Sequence, residues 1–251
     1  MLSREELLTP QIIEDLSRHA VEAYPQESVG VILTEGPYRR LTNVAKDPER
    51  FAVWDTKEFD PLYISGQVRA LVHSHPNGPN CPSGSDMRAQ VQFGIPFVIV
   101  STNGTGCLPP LAWGDSLEPP PLLDRPFMHG VTDCYALIRD YYWLERQIRL
   151  PEFPRDWDWW LHKGVNLYDD GFQRAGFVEI DTQDVRDGDV VLFKIRSEVT
   201  NHGAIVVDNC GRILHHAAHR EPWDPTRRSK YDTLGRWKDY ATRWLRYTGA
   251  T

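Results

Sequence analysis

Ala70-Leu-Val-His-Ser-His-Pro-Asn-Gly-Pro-Asn-Cys-Pro-Ser-Gly-Ser-Asp86 is the stretch on which the reading of this chain turns. It contains H-x-H, seven residues, Ser, two residues and Asp, directly after the short apolar run Val68 to Val72. Side chains alternate along a strand, so His73 and His75 point to one face. Asp86, at the start of the next helix, returns a carboxylate to them. Two imidazoles and a carboxylate are a complete protein ligand set for a catalytic zinc, which keeps its fourth position for water. Such an ion lowers the pKa of its water from about 15.7 to about 7. The released proton needs a carrier, and Glu27, just before the first strand, is the candidate acid/base. Ser83 is placed to hydrogen-bond the oxyanion of a tetrahedral intermediate.

Around this stretch the pattern predicts a mixed α/β domain. Thr9-Pro10 has the form of a helix cap followed by proline at the first helical position, and Ile12, Ile13, Leu16, Ala20 and Ala23 repeat at helical spacing as far as Tyr24-Pro25. Strands are expected at Ser28–Leu33 and Tyr38–Ala45, joined by a Glu35-Gly36-Pro37 turn. Ser85 is expected to cap a helix through Phe93, and Phe97–Ser101 to be a buried strand. Cys81 is expected to be a solvent-side thiol of the loop. The domain is expected to end near Asp115. From Leu108 to Pro126 there are six prolines, a composition that favours an extended, semi-stiff segment. Residues 116–126 are therefore assigned as a linker and 127–251 as a second domain.

That second domain carries its own constellation, Cys134 with His202 and His215. Thr132-Asp133 precedes an amphipathic helix from Cys134 to about Arg146, and a further helix is expected over Val165–Ala175. Strands follow at Asp189–Ile195, Gly203–Val207 and Arg212–Ala217, with Trp244-Leu-Arg-Tyr as a last one, the order of an α+β domain. A thiol at a helix N-terminus beside an imidazolium has a lowered pKa and is a nucleophile as the thiolate. His202 can act as its base and His215 can orient that imidazole. His216 follows immediately, so the third member is His215 or His216, with the apolar pair Ile213-Leu214 favouring His215.

Composition narrows the classes. At 251 residues, 41% hydrophobic and 25% charged, the chain is long enough for two globular domains. No apolar run approaches the ~20 residues of a membrane span. Met1-Leu-Ser-Arg-Glu-Glu lacks a signal-like apolar core, so synthesis and folding in cytosol are expected. A net charge of −7 without a basic block argues against nucleic acid as the main partner. Four widely spaced cysteines with no C-x-x-C argue against a disulfide framework.

Glu27, His73, His75, Ser83 and Asp86 fill every position of the pattern of the JAMM (MPN-plus) metallopeptidases, which the first 115 residues resemble. The resemblance implies bound Zn2+ and hydrolysis of an amide or isopeptide bond. The second half resembles the NlpC-type cysteine peptidases in Asp133-Cys134, Gly188-Asp189, Asn201-His202-Gly-Ala-Ile and Ile213-Leu214-His215, with Gly and Ala after His202 in swapped order. This implies a papain-like fold and cleavage of a γ-D-glutamyl to diamino-acid bond. With Arg125-Pro-Phe-Met-His-Gly-Val-Thr-Asp-Cys-Tyr-Ala-Leu-Ile-Arg-Asp-Tyr-Tyr142, nearly the full length of the chain resembles the tail assembly proteins of lambda-like tailed phages. That implies residence at the virion tail tip, other phage tail-tip proteins as partners, and bacterial peptidoglycan stem peptides as substrate. Two other classes stay open: an assembly protein whose peptidase sites are dispensable, and a cytosolic deconjugating isopeptidase.

Overall fold

The computed structural model describes residues 1–218 and 221–249. The chain divides into two compact units, Met1–Glu118 and Pro119–Thr251, and the whole is mixed α/β.

In the first unit, α1 (Arg4–Leu7) and α2 (Pro10–Ala23) precede β1 (Val29–Leu33) and β2 (Tyr38–Leu41). Then come α3 (Thr56–Ile64), β3 (Val68–Pro76), α4 (Gly84–Phe93), β4 (Phe97–Thr102) and β5 (Leu111–Trp113). The five strands form one sheet in the order β2-β1-β3-β4-β5, in which β3 and β4 are parallel and the other pairs antiparallel. Thr9 caps α2 through Ile12 N–H, and the helix buries Ile12, Leu16 and Ala20 against Ala70, Val72, Val98 and Val100. Each fully buried aliphatic side chain contributes ~1.5–3 kcal/mol. Because the even positions of β3 face α2, alternation sends Leu71, His73 and His75 to the other face. An aromatic cluster of Trp54, Phe59, Phe93 and Phe97 contributes to the packing of α3 and α4.

Three expectations change here. The cap of α4 is Ser83 rather than Ser85: Ser83 Oγ accepts from Asp86 N–H, and the Asp86 carboxylate accepts from Ser83 N–H. The Asp side chain at the third helical position closes the box that Ser85 has no equivalent group to close. Cys81 is buried at 2% exposure, not on the solvent side, because Asn80 and Pro79 pin its loop to Ser101 of β4. Segment 108–126 is not one extended spacer. Leu111–Trp113 is a buried strand and Leu117 packs in the first core, while Arg125 is buried in the second unit in an ion pair with Asp140.

In the second unit, β6 (Pro126–Met128) leads to α5 (Cys134–Arg146) and the short α6 (Leu167–Gly171). Seven strands follow: β7 (Phe177–Glu179), β8 (Val190–Phe193), β9 (His202–Val207), β10 (Arg212–His215), β11 (Trp223–Arg228), β12 (Lys230–Thr233) and β13 (Ala241–Tyr247). Six of them build an antiparallel sheet in the order β12-β10-β9-β8-β13-β7, and β11 pairs with β6. α5 lays Leu137, Ile138 and Tyr142 on Val190, Leu192, Ile205, Leu214 and Leu245. The opposite face carries Val191, Phe193, Ala204, Val206 and Ile213, packed by Trp237 and Trp244. The helix expected over Val165–Ala175 contracts to Leu167–Gly171, and the chain turns at Gly176, whose φ of 85° favours glycine. No helix among the described residues is long and apolar enough to cross a membrane.

Candidate functional site

The first unit brings its three expected metal ligands together. One ligand atom from each of His73, His75 and Asp86 lies within 4.8 Å of the others. The two Nε2 atoms are 3.1 Å apart, and Asp86 Oδ1 and Oδ2 lie 3.3 and 3.5 Å from His73 and His75 respectively. His75 Nδ1–H donates to Pro79 O at 3.0 Å, which leaves the Nε2 lone pair for the centre. Electron-pair donors converging on one point suit a cation, so the residues fit a zinc ion held by His73, His75 and Asp86. Burial alone would raise the Asp86 carboxyl, but the two imidazoles override it and hold it far below the usual carboxylate range. For His75, burial favours the neutral ring, yet the Asp86 contact prevails and raises its pKa.

Glu27 enters this group through the sheet. Ser28 N–H donates to Ser74 Oγ at 2.7 Å and Ser74 N–H to Ser28 O at 3.0 Å, fastening the start of β1 beside the two histidines. Burial raises the Glu27 carboxyl, opposed by the charges of His73 and His75. A carboxyl shifted that way takes up and returns a proton closer to neutrality. The Ser83 hydroxyl lies 2.7 Å from Asp86 Oδ2 and 2.8 Å from Ser85 Oγ. Its placement orients a ligand carboxylate as well as capping α4.

In the second unit Cys134 occupies the first position of α5, after the cap Asp133. Cys134 and His202 line one cavity of about 540 Å³, walled by Trp157, Trp159, Tyr168 and Trp237. His202 Nε2 lies 3.1 Å from His215 Nδ1. His216 is engaged elsewhere, its ring spanning Thr132 O and Arg227 O, so the ring beside His202 is His215.

The thiol and the imidazole are not yet joined. Cys134 Sγ bonds the Tyr168 hydroxyl at 3.2 Å and the Gly203 amide, and no histidine among the described residues. Gly203 and Ile205 of β9 face α5, whereas His202, the first residue of the strand, stacks on Phe193, lies tilted against Trp237 and borders the cavity that Cys134 also lines. A Cβ at Gly203 would meet Ile138 at 2.9 Å, so glycine in this swapped position lets the helix sit close. Catalytic hydrogen bonds are often open before substrate arrives.

The expected low thiol pKa is overturned. Burial, aided by the Asp133 charge, pushes the Cys134 thiol up to about 11. Burial likewise holds His202 well below the ordinary imidazole value, and His215 at about 4. The resting pair is therefore a neutral thiol and a neutral imidazole.

Three residues near this site lay outside the sequence reading. Tyr168 touches the sulfur. Arg155, 6% exposed, grips Asp133 through two nitrogens at 2.8–3.1 Å and reaches Glu152 at 2.7 Å. It thereby holds the carboxylate that caps α5 through Ala136 N–H at 3.0 Å. Asp232 approaches His215 from β12. No local motif marks any of them; the order Asp133…Arg155 becomes meaningful only once the chain folds back.

Residues 9–109 match the prokaryotic homologs of the JAB domain and residues 113–233 match the NlpC/P60 family. Fold and matches together define a fusion of a JAB-like domain with an NlpC/P60 domain. The chain belongs to the tail tip assembly protein K family. It is 37% identical over 196 residues to tail tip assembly protein K of Escherichia phage lambda, covering 74% of this chain and 89% of that protein. The namesake of Escherichia phage N15 is 29% identical over 215 residues, covering 81% and 83%. Among solved structures, an NLP/P60-family protein of Staphylococcus aureus subsp. aureus Mu50 is 22% identical with a TM-score of 0.31, covering 48% of this chain and 36% of its own. A protein from Salinibacter ruber is also 22% identical, with a TM-score of 0.31 and coverage of 45% and 81%.

Proposed function

We propose that the chain is a two-site hydrolase of the phage tail tip, whose cysteine unit cuts peptidoglycan stem peptides during infection. The observation that carries this reading is Cys134 at the start of α5, opening onto the cavity that His202 also lines. The thiol proton passes to His202 as sulfur attacks the scissile carbonyl carbon. The leaving amine takes that proton, and water then hydrolyses the acyl-sulfur bond. With both groups neutral at rest, proton transfer accompanies attack instead of preceding it. Tyr168 O–H and the Gly203 amide are placed to stabilise charge on sulfur or on the oxyanion.

The first unit would hydrolyse an amide or isopeptide bond of a substrate still to be identified, with Zn2+ held by His73, His75 and Asp86. Bound zinc would polarise the carbonyl and acidify a water. Glu27 carries the proton from water to leaving amine, and Ser83 steadies Asp86 or turns to the oxyanion.

The names of the relatives favour a second reading, in which the chain acts chiefly in tail-tip assembly and docks on other tail proteins. Synthesis in the host cytoplasm and residence at the tail tip accord with either. Purified cell-wall sacculi incubated with wild type and with Cys134→Ala separate the two. Release of stem peptides by wild type alone supports the peptidase; equal, negligible release by both supports assembly.

A further inference from the structure

Proton bookkeeping along the His202–His215 pair leads to a residue of β12. The pair shares one contact, His202 Nε2 to His215 Nδ1 at 3.1 Å. One of these nitrogens carries the proton and the other accepts it. For His202 to receive a proton from Cys134, its remaining nitrogen, Nδ1, must be bare. The ring proton of neutral His202 then sits on Nε2 and is donated to His215 Nδ1. His215 must in turn carry its own proton on Nε2. That nitrogen is buried and has no hydrogen-bond partner among the described residues, yet Asp232 Oδ2 stands 3.9 Å from it. Strand pairing sets this approach, since Ile213↔Asp232 and His215↔Lys230 are partners in the β10–β12 ladder.

We propose that Asp232 is a positioning residue, accepting from His215 Nε2–H and thereby fixing the tautomer that leaves His202 Nδ1 free to take the Cys134 proton. This rests on the reading of the second unit as a cysteine peptidase. For this bond the carboxylate closes in from the 3.9 Å at which Oδ2 stands. Its other partners leave it able to serve. Arg236 meets Oδ1 at 3.2 Å and Lys230 meets Oδ2 at 3.5 Å, but both cations are largely exposed and hydrated. Thr233 N–H and the Trp237 side chain hold the carboxylate from the backbone and ring sides. Trp237 also packs edge-on against His215, with centroids 4.6 Å apart, which restricts the imidazole to this orientation. The arrangement extends the pair into a chain from His202 to the carboxylate, whose negative charge also stabilises the imidazolium formed during attack.

The test uses the full-length protein labelled with 15N-histidine, as wild type, Asp232→Leu, Asp232→Asn and Cys134→Ala. In wild type, nitrogen NMR should show His215 protonated on Nε2. In Asp232→Leu the ring should shift to the Nδ1–H form, while Asp232→Asn, which keeps shape and an acceptor, retains the tautomer but loses the charge. Iodoacetamide alkylation of Cys134 should slow about 100-fold in Asp232→Leu, the lower end of what a general base supplies. In Asp232→Asn the pH midpoint of alkylation should move without a change in folding. An Nδ1–H proton on wild-type His215, or the same tautomer and alkylation profile in wild type and Asp232→Leu, overturns the proposal. If wild type and Cys134→Ala act alike on sacculi, the peptidase reading fails, while the His215 tautomer still decides the role of Asp232.

Discussion

In the first unit the candidate ligands lie between His73 and Asp86, on one strand, its loop and the start of the next helix. In the second unit Cys134, His202 and His215 come from a helix and two strands far apart in sequence. The two sites also differ in charge. A carboxylate among two imidazoles keeps the first site ionised, whereas burial drives the thiol and both imidazoles of the second toward neutral forms. A cluster of donors with compensating charges tolerates being held ready for a cation. A half-buried nucleophile without such compensation is stored neutral and charged only during reaction.

The sharpest way to break this contrast is to uncover a buried charge in the second unit alone. Arg155→Ala leaves Asp133 buried without its cation and should destabilise that unit by ~3–5 kcal/mol. Calorimetry should show only the second unit's transition lowered; an unshifted transition would mean that water already compensates Asp133. Next in size, Asp86→Ala removes one of three metal ligands. Zinc affinity should fall more than ~100-fold, beyond what loss of a supporting partner costs. Equilibrium dialysis against zinc measures it, and unchanged zinc content would end the metal assignment. Ser83→Ala should cost ~1 kcal/mol through loss of the α4 cap, with weaker zinc retention than wild type because Asp86 loses its hydroxyl partner.

A further contrast concerns acid. Burial, the largest cause in each case, lowers His129, His202, His215 and His216 in the second unit. An imidazole depressed on folding gives stability that is full above the unfolded value near 6.5 and is lost as pH falls, for His215 toward about 4. In the metal-free first unit, burial lowers His19 to about 4, but His75 and Glu27 are raised and act in the opposite direction. Thermal unfolding of metal-free protein between pH 7 and about 4.5 should therefore lower the second transition more steeply than the first. Parallel slopes would contradict the assigned charge states.

The same contrast explains what the sequence discloses. His73, His75, Ser83 and Asp86 are legible because one strand and one helix start fix their spacing, and α5 because its apolar period and Asp133 cap agree. The pattern puts the cap two residues late, at Ser85, because two serines flank Gly84 and only the Asp86 carboxylate chooses between them. β11 and β12 escaped because Trp-Asp-Pro-Thr-Arg-Arg and Lys-Tyr-Asp-Thr are mostly exposed and lack apolar alternation. With β12 unseen, Asp232 had no address beside His215. The thiol's raised pKa was equally hidden, since burial is a property of the folded cavity and not of the Asp133-Cys134 motif.

Separate chemistry in the two units is tested most directly by one substrate panel, sacculi and amide-linked peptides, given to wild type, Glu27→Gln and Cys134→Ser. Each substitution should abolish one activity and spare the other, with Cys134→Ser ending peptide release from sacculi and Glu27→Gln leaving it intact. Loss of both activities in either variant would contradict two independent sites.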